Sequence, residues 1–211
     1  LSNAEKQNIL TNIIQKYNII SVLPEIIDPE YTFILVKSIV KYNSRATTNT
    51  PDAIKALVAA EITNYNNTYL TQFGTFFNYS DFITNINKTD TSIISNITTV
   101  AMKKHVSMNL NTLTNYSIQF QNKIVPGSLS TPQGFQAITD STLGLTSDTF
   151  YLDDDSAGNV RVYKFVSGQK VVIKNTGTID YINGIVTLNS FGPIEVDDPL
   201  GQLTITASPS T

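Results

Sequence analysis

The sequence predicts an α+β chain: a two-layer domain of helices on an antiparallel sheet, with ferredoxin-like character, followed by an all-β module built as a meander, small sandwich or small barrel. Three observations predict it. Helical apolar periods are confined to the stretch before about residue 124. Nine of the ten glycines stand at or beyond Gly127, Gly74 being the exception. Between those glycines lie short apolar runs punctuated by turn residues, the pattern of closely spaced strands. The expected division is residues 1–28 as an opening helix and short strand, 29–124 as the α+β domain and 125–211 as the β-rich domain, with the break at Val125-Pro126-Gly127.

Ile9, Leu10, Ile13, Ile14 and Tyr17 make one apolar face of the opening helix, which Asn18 loosens. A short apolar run, Ile19 to Leu23, stops at Pro24. Asp28-Pro29 disfavours helix and starts an extended run from Tyr31 to Tyr42. With Tyr31, Phe33, Leu35 and Ile39 on one face and Ile34, Val36 and Val40 on the other, this run is expected to be a central strand at least partly covered on both sides. A helix follows: Thr50 caps it, Pro51 takes the first turn, Asp52 favours the positive end of the dipole, and Ile54, Leu57, Val58, Ile62, Tyr65 and Tyr69 form its stripe. A shorter helix from Ser80 buries Phe82, Ile83 and Ile86 and ends in Asn87-Lys88-Thr89-Asp90. Strands are expected from Ser92 to about Met108 and along the alternating Tyr116, Ile118 and Phe120.

In the second part, Phe150-Tyr151-Leu152 and Val160 to Phe165 flank the polar Asp153 to Asn159, read as a hairpin loop. Ser167-Gly168 makes the next turn. Val171 to Ile173 runs into a turn at Asn175-Thr176-Gly177, and Ile179 to Ile182 meets the hairpin signal Asn183-Gly184 before Ile185 to Leu188. Leu203-Thr204-Ile205-Thr206 is a last strand, and Ala207 to Thr211 a frayed end. Ser2-Asn3-Ala4 after a start without Met reads as the scar of a cleaved tag, so a fragment is expected.

Composition narrows the chemistry. A chain of 211 residues buries roughly 70% of its unfolded surface, enough to fold without a metal or disulfide. The absence of Cys removes thiolate nucleophiles, zinc–thiolate sites and iron–sulfur clusters, and one His is left for imidazole chemistry. A net charge of −3 with scattered Lys and Arg offers no basic stripe for phosphates, so no nucleic-acid partner is expected. The apolar run Tyr31 to Tyr42, interrupted by Lys37, Ser38 and Lys41, falls short of the ~20 residues of a membrane span, so no membrane partner is expected either.

Each candidate site has a plainer reading. Asp153, Asp155 and Gly158 match positions 1, 3 and 6 of a calcium loop, but Ala157 and Lys164 stand at positions 5 and 12, where a bidentate Glu is needed at the last; an ordinary polar turn is expected. His105 has no triad partner nearby and reads as an exposed strand residue. Ser38 to Lys41 and Ser167 to Lys170 match a Ser-x-x-Lys pattern but do not start helices. Asp197-Asp198 could pair with another carboxylate for glycoside hydrolysis, but Pro199 and Gly201 make a turn the simpler account. Asn67, Asn78, Asn87 and Asn96 begin Asn-x-Ser/Thr triplets that arise by chance in so Asn- and Thr-rich a chain. No catalytic residue, cofactor or metal is assigned, and the chain is expected not to be an enzyme.

Val22-Leu23-Pro24, Tyr31 to Val36, the Thr50-Pro51 helix start, Phe73-Gly74, Tyr79 to Ile83 and the strand after Ile93 together resemble the baseplate J-like family of contractile phage tails. Phe150 to Asp155, Gly177 to Tyr181, Gly184 to Leu188 and Phe191 resemble the C-terminal region of the hinge-forming baseplate wedge proteins of T-even-like phages. The resemblance implies a structural protein of the virion, assembled in the host cytoplasm. It would self-associate within or between wedges, join neighbouring wedges into a ring, contact other wedge proteins and adjust when the baseplate changes shape and the sheath contracts. Two other readings stand beside it: a carbohydrate-binding or adhesive module using Tyr151, Tyr163 and Tyr181, whose alternation favours burial instead, and a carboxylate or calcium-dependent enzyme built on Asp153 to Asp155 with Asp197-Asp198.

Overall fold

The computed structural model describes residues 3–17, 26, 30–72, 74–137, 148–196, 198 and 201–210. The run Ile19 to Leu23, Asp28-Pro29, Phe73, Asp197 and Thr211 lie outside the described residues. The chain forms two compact units, Leu1–Thr32 and Phe33–Thr211. The expected break near Val125 falls inside the second.

In the first unit, α1 (Asn3–Ile9) continues as a wider π-helical turn, Leu10–Ile14, and a tighter 3-10 turn, Gln15–Tyr17. The changes of pitch break the single apolar face that a regular helix would give, and Ile13 and Tyr17 are exposed.

The second unit opens with β1 (Phe33–Tyr42), followed by α2 (Pro51–Tyr65), α3 (Tyr79–Lys88) and the fifteen-residue β2 (Ile93–Ser107). Both helices start on the chemistry their sequences offer. The Thr50 hydroxyl accepts from the Ala53 N–H at 3.2 Å, and the Asn78 side chain accepts from the Asp81 N–H at 3.3 Å. Val58 and Tyr65 of α2 pack with Phe82 and Ile86 of α3 against Val36 and Val40 of β1. The Tyr65 ring meets Phe82 edge to face, with centroids 5.1 Å apart, and its hydroxyl donates to the Asn78 carbonyl. Within the predicted stripe Ile54, Val58 and Tyr65 are buried, whereas Leu57 and Tyr69 face out.

β1 pairs antiparallel with β2, whose second edge is taken by β10 (Gln202–Ala207); the order is β1-β2-β10, and among the described residues β1 has a strand partner on one side only. The expected central strand is therefore an edge strand. Its exposure alternates strictly: α2 and α3 pack on the face of Val36 and Val40, and among the described residues the other face stays exposed at Phe33, Leu35 and Ile39.

The remainder is antiparallel: β3 (Thr114–Gln119), β4 (Phe135–Ala137), β5 (Tyr151–Asp154), β6 (Asn159–Val166), β7 (Gln169–Asp180), β8 (Ile185–Phe191) and β9 (Pro193–Val196). Five of these strands form a sheet in the order β3-β8-β7-β6-β5, and β4 pairs with β9. β3, expected to complete the first domain, instead edges this second sheet. Ser130 bridges both Thr206 of β10 and Asp153 of β5, and with Phe135 bridging Phe150 it brings the two sheets around one core. That core takes in Met102, Phe120, Phe135, Phe150, Leu188 and Ile205, all nearly or fully inaccessible. An α+β chain with a mostly antiparallel, partly closed sheet is the result.

Three local expectations change. Asn175-Thr176-Gly177 is not a turn; β7 runs through it, and the register skips Thr176 between Val160↔Gly177 and Arg161↔Asn175 as a bulge. Gly177 is required there because a Cβ would collide with the Thr187 carbonyl oxygen of β8. The segment after Ala207 is not frayed. Val125 N–H donates to the Ser208 carbonyl at 2.9 Å and Ser210 N–H to the Lys123 carbonyl at 2.9 Å, so residues 208–210 are tied to the segment after β3. Asp153 and Asp154 belong to β5, not to the loop.

Candidate functional site

The acidic segment at the β5–β6 hairpin holds the strongest polar chemistry among the described residues, and each of its three carboxylates has a separate structural task. Asp153, on the outer face of β5, takes a two-pronged bond from Arg161, Nε at 3.1 Å and Nη2 at 2.7 Å, and also pairs with Lys170 Nζ. Hydrogen bonding to Asp153 pushes the Arg161 guanidinium up from its ordinary value. Asp154, one position on, points inward and is only 4% exposed. It accepts from Gly127 N–H at 2.6 Å, Leu129 N–H at 2.9 Å, Ser156 N–H at 3.2 Å and the Tyr181 hydroxyl at 2.6 Å. Burial, and then donation to Asp154, push the Tyr181 phenol up to about 12. Asp155 closes the turn by accepting from the Asn159 amide and from the N–H groups of Asn159 and Ala157. These bonds, the Asn159 side chain first, hold its carboxyl down at about 2.

The calcium-loop spacing therefore describes a hydrogen-bonded turn. The oxygens that would face a cation face Arg161, Lys170, backbone N–H groups and Tyr181 instead. Among the described residues no group of three or more His, Asp or Glu side chains could hold a metal ion.

The other sequence candidates are dispersed. His105 is half-buried, not exposed: Nδ1 lies 3.0 Å from the Thr204 hydroxyl and the ring edge meets Phe33, because β10 closes over that end of β2. Ser38, of the first Ser-x-x-Lys match, bonds Thr98 across the strand pair at 2.8 Å, and Lys170, of the second, pairs with Asp153. Asp198 accepts from Thr204 at 3.4 Å. Asn78 caps α3, and Asn96 donates to Asn87 at 2.8 Å, joining β2 to α3.

Two of the three tyrosines of the adhesive reading meet on one face of β5 and β6. Tyr151 and Tyr163 stack with centroids 5.5 Å apart and planes 26° apart, and Phe165 presents its edge to both. Lys170 Nζ sits 4.1 Å from the Tyr163 centroid. The broad ring faces a sugar would stack on are thus spent on one another and on a lysine. Tyr181 is half-buried against the core and held by Asp154.

The feature sequence reasoning missed is the open side of the β1–β2 pair. Phe33, Leu35 and Ile39 of β1 are 45%, 41% and 62% exposed, and Ile97, directly opposite Ile39, is 69% exposed. Lys37 and Lys41 share this face, and Lys103 lies over the Phe33 ring at 5.4 Å. Two exposed apolar patches, Phe33 with Leu35 and Ile39 with Ile97, separated by the Lys37–Thr99 pair, make a face of mixed apolar and cationic character suited to a contact surface. Its signal in the sequence was the spacing of Lys37 and Lys41, two positions either side of Ile39, which places lysines on one face of an otherwise apolar strand.

A chain whose hairpin carboxylates Asp153, Asp154 and Asp155 are spent on its own structure, and whose first strand pair keeps a partly apolar face exposed among the described residues, has the make-up of an assembly protein. Residues 30–105 match the family described as baseplate structural protein gp6, C-terminal domain III. The matched stretch runs from just before β1 to near the end of β2 and so takes in the helix-covered layer together with its open outer face. The match supports a structural protein of the phage baseplate, in the tail of the virion, that contacts other baseplate proteins. No curated protein matches the chain. Among the described residues no helix is long and apolar enough to cross a membrane.

Proposed function

We propose that the chain is a wedge component of a contractile-tail baseplate of the baseplate J-like kind, which joins neighbouring wedges into a ring and accommodates the rearrangement that triggers sheath contraction. It acts by protein–protein contact, self-association among them, and not by turnover. The observation that carries the reading is the match of residues 30–105 to a baseplate domain over the segment whose outer strand face is open and apolar. The division at about residue 125 belongs to the same proposal: the helix-covered layer makes the wedge contacts, and the β-rich body, braced by Asp154, fixes its geometry.

The test is deletion of the coding sequence from the phage that carries it. Baseplate precursors should accumulate as separate wedges, resolved from closed baseplates by sucrose-gradient sedimentation and electron microscopy, and the chain supplied in trans should restore closure. Closed, contraction-competent baseplates formed without the chain would sink the reading.

A further inference from the structure

We infer that the open edge of β1 takes up an extended, acidic segment of a different protein as a fourth strand of the β1-β2-β10 sheet. The inference deepens the wedge reading, on which it rests, by naming a docking site and the chemistry of its occupant. β1 is ten residues long, carries no proline, and among the described residues has a strand partner on one side only. Such an edge offers a row of backbone donors and acceptors for strand addition. Natural edges of this kind are commonly blunted by lysine, and here Lys37 and Lys41 serve both to block indiscriminate pairing and to select a partner.

The charge pattern decides what fits. β1, β2 and β10 contain no Asp or Glu, yet the exposed face of β1 and β2 carries Lys37, Lys41 and Lys103, in a chain whose net charge is −3. Lys37 and Lys41 lie on the same face with Ile39 between them. A strand laid beside β1 meets that row best with a carboxylate, an apolar residue and a second carboxylate at alternate positions. On the opposite face Ile34, Val36 and Val40 are only half-buried, so apolar residues at the intervening positions would complete their cover. A second copy of this chain fits badly. In every antiparallel register that pairs the middle of β1 with its counterpart, Lys37 comes opposite or diagonal to a lysine of that copy, and like charges so placed are destabilising.

The experiment uses the whole chain and two labelled probes, the nonapeptide Thr-Val-Glu-Thr-Ile-Thr-Glu-Val-Thr and the same peptide with Lys in both Glu positions. Binding is read by fluorescence anisotropy, and its place by amide exchange. The acidic probe should bind at least about tenfold more tightly than the basic one, weaken with salt and protect amides within residues 33–42. In the doubly substituted Lys37→Glu, Lys41→Glu chain, whose fold is checked by circular dichroism, the preference should invert. No binding of the acidic probe, equal binding of both, or protection elsewhere overturns the inference. So does protection of residues 33–42 that rises with protein concentration alone, since that makes a second copy the occupant. Baseplate closure in the deletion test is scored separately: closure that needs the chain, with no peptide preference, removes strand addition and leaves the wedge reading standing.

Discussion

Replacing Asp154 with Asn should cost the fold about 3–5 kcal/mol, the range expected when a buried, charge-assisted hydrogen-bond hub is broken. The carboxylate serves four donors: Gly127 N–H, Leu129 N–H, Ser156 N–H and the Tyr181 hydroxyl. An amide has one oxygen to offer them, and its NH2 must face the rest. Gly127 N–H, Ser156 N–H and the Tyr181 hydroxyl share Oδ2, so an amide oxygen in that position leaves Leu129 N–H facing the NH2 and takes the charge from the other three bonds. A buried donor left unsatisfied costs about 1–3 kcal/mol, and turning charge-assisted bonds worth about 1.5–3 kcal/mol each into neutral ones worth about 0.5–1.5 supplies the rest of the stated range without assuming that all four add. The assay is urea unfolding followed by far-UV circular dichroism and tyrosine fluorescence, since the chain has no Trp, with stability from linear extrapolation. A cycle with Tyr181→Phe should return a coupling of about 1–2 kcal/mol between the two side chains. A loss under about 1 kcal/mol in the Asn variant, with unchanged slope, would refute the hub as the brace between segment 125–129 and the β5–β6 hairpin.

Gly177→Ala should lower stability by about 2–4 kcal/mol or prevent folding, because the new methyl meets the Thr187 carbonyl; a thermal melt no different from the wild type would contradict the close approach of β7 and β8. Asp155, held at about 2 against an ordinary 3.8, stabilises the folded state at pH values above its unfolded pKa and loses that contribution as pH falls through the interval from 3.8 to about 2. The Asp155→Asn variant should accordingly show a smaller drop in urea midpoint over that interval than the wild type, measured side by side. Ile86→Ala, at a side chain with no exposure, should cost about 2–5 kcal/mol, whereas Ile39→Ala on the open face should stay within about 0.5 kcal/mol; equal losses would mean that the face is covered. A glycan array should give no selective binding, since Tyr151 and Tyr163 face each other and Lys170 covers the latter.

What was legible in the sequence was what neighbouring residues decide between themselves. Thr50-Pro51-Asp52 fixes the start of α2 because its hydroxyl, its missing N–H and its charge all act within one turn. Ser167-Gly168 closes β6 to β7 as a two-residue turn with both φ angles positive, 51° and 80°, as the glycine suggests. Asn183-Gly184 marked a hairpin correctly, although the loop is the four residues Tyr181 to Gly184, with Asp180 gathering the N–H groups of Ile182 and Asn183. What was illegible depended on partners far away in the chain. Nothing near Tyr31 to Tyr42 tells that the fold will place this strand first in the order β1-β2-β10, or that α2 and α3 will pack on the face of Val36 and Val40, and so an exposed apolar face looked like a partly buried one. Asp153 to Asp155 looked like loop because aspartate is poor in strands, and only Gly127, Leu129, Arg161 and Tyr181, brought in by the fold, make β5 tolerate it.

The pairing of β10 with β2 has a consequence for synthesis. His105 and its opposite number Thr204 are separated by 99 positions, so β2 leaves the ribosome long before its second neighbour exists. Until residues 202–207 have been made, the β2 edge and the apolar side chains around Met102 stay accessible to any other nascent chain. A protein with so late a clasp gains from chaperone shelter and from slow, dilute expression, and removal of its last ten residues would unfasten β2 and the Lys123–Val125 segment together.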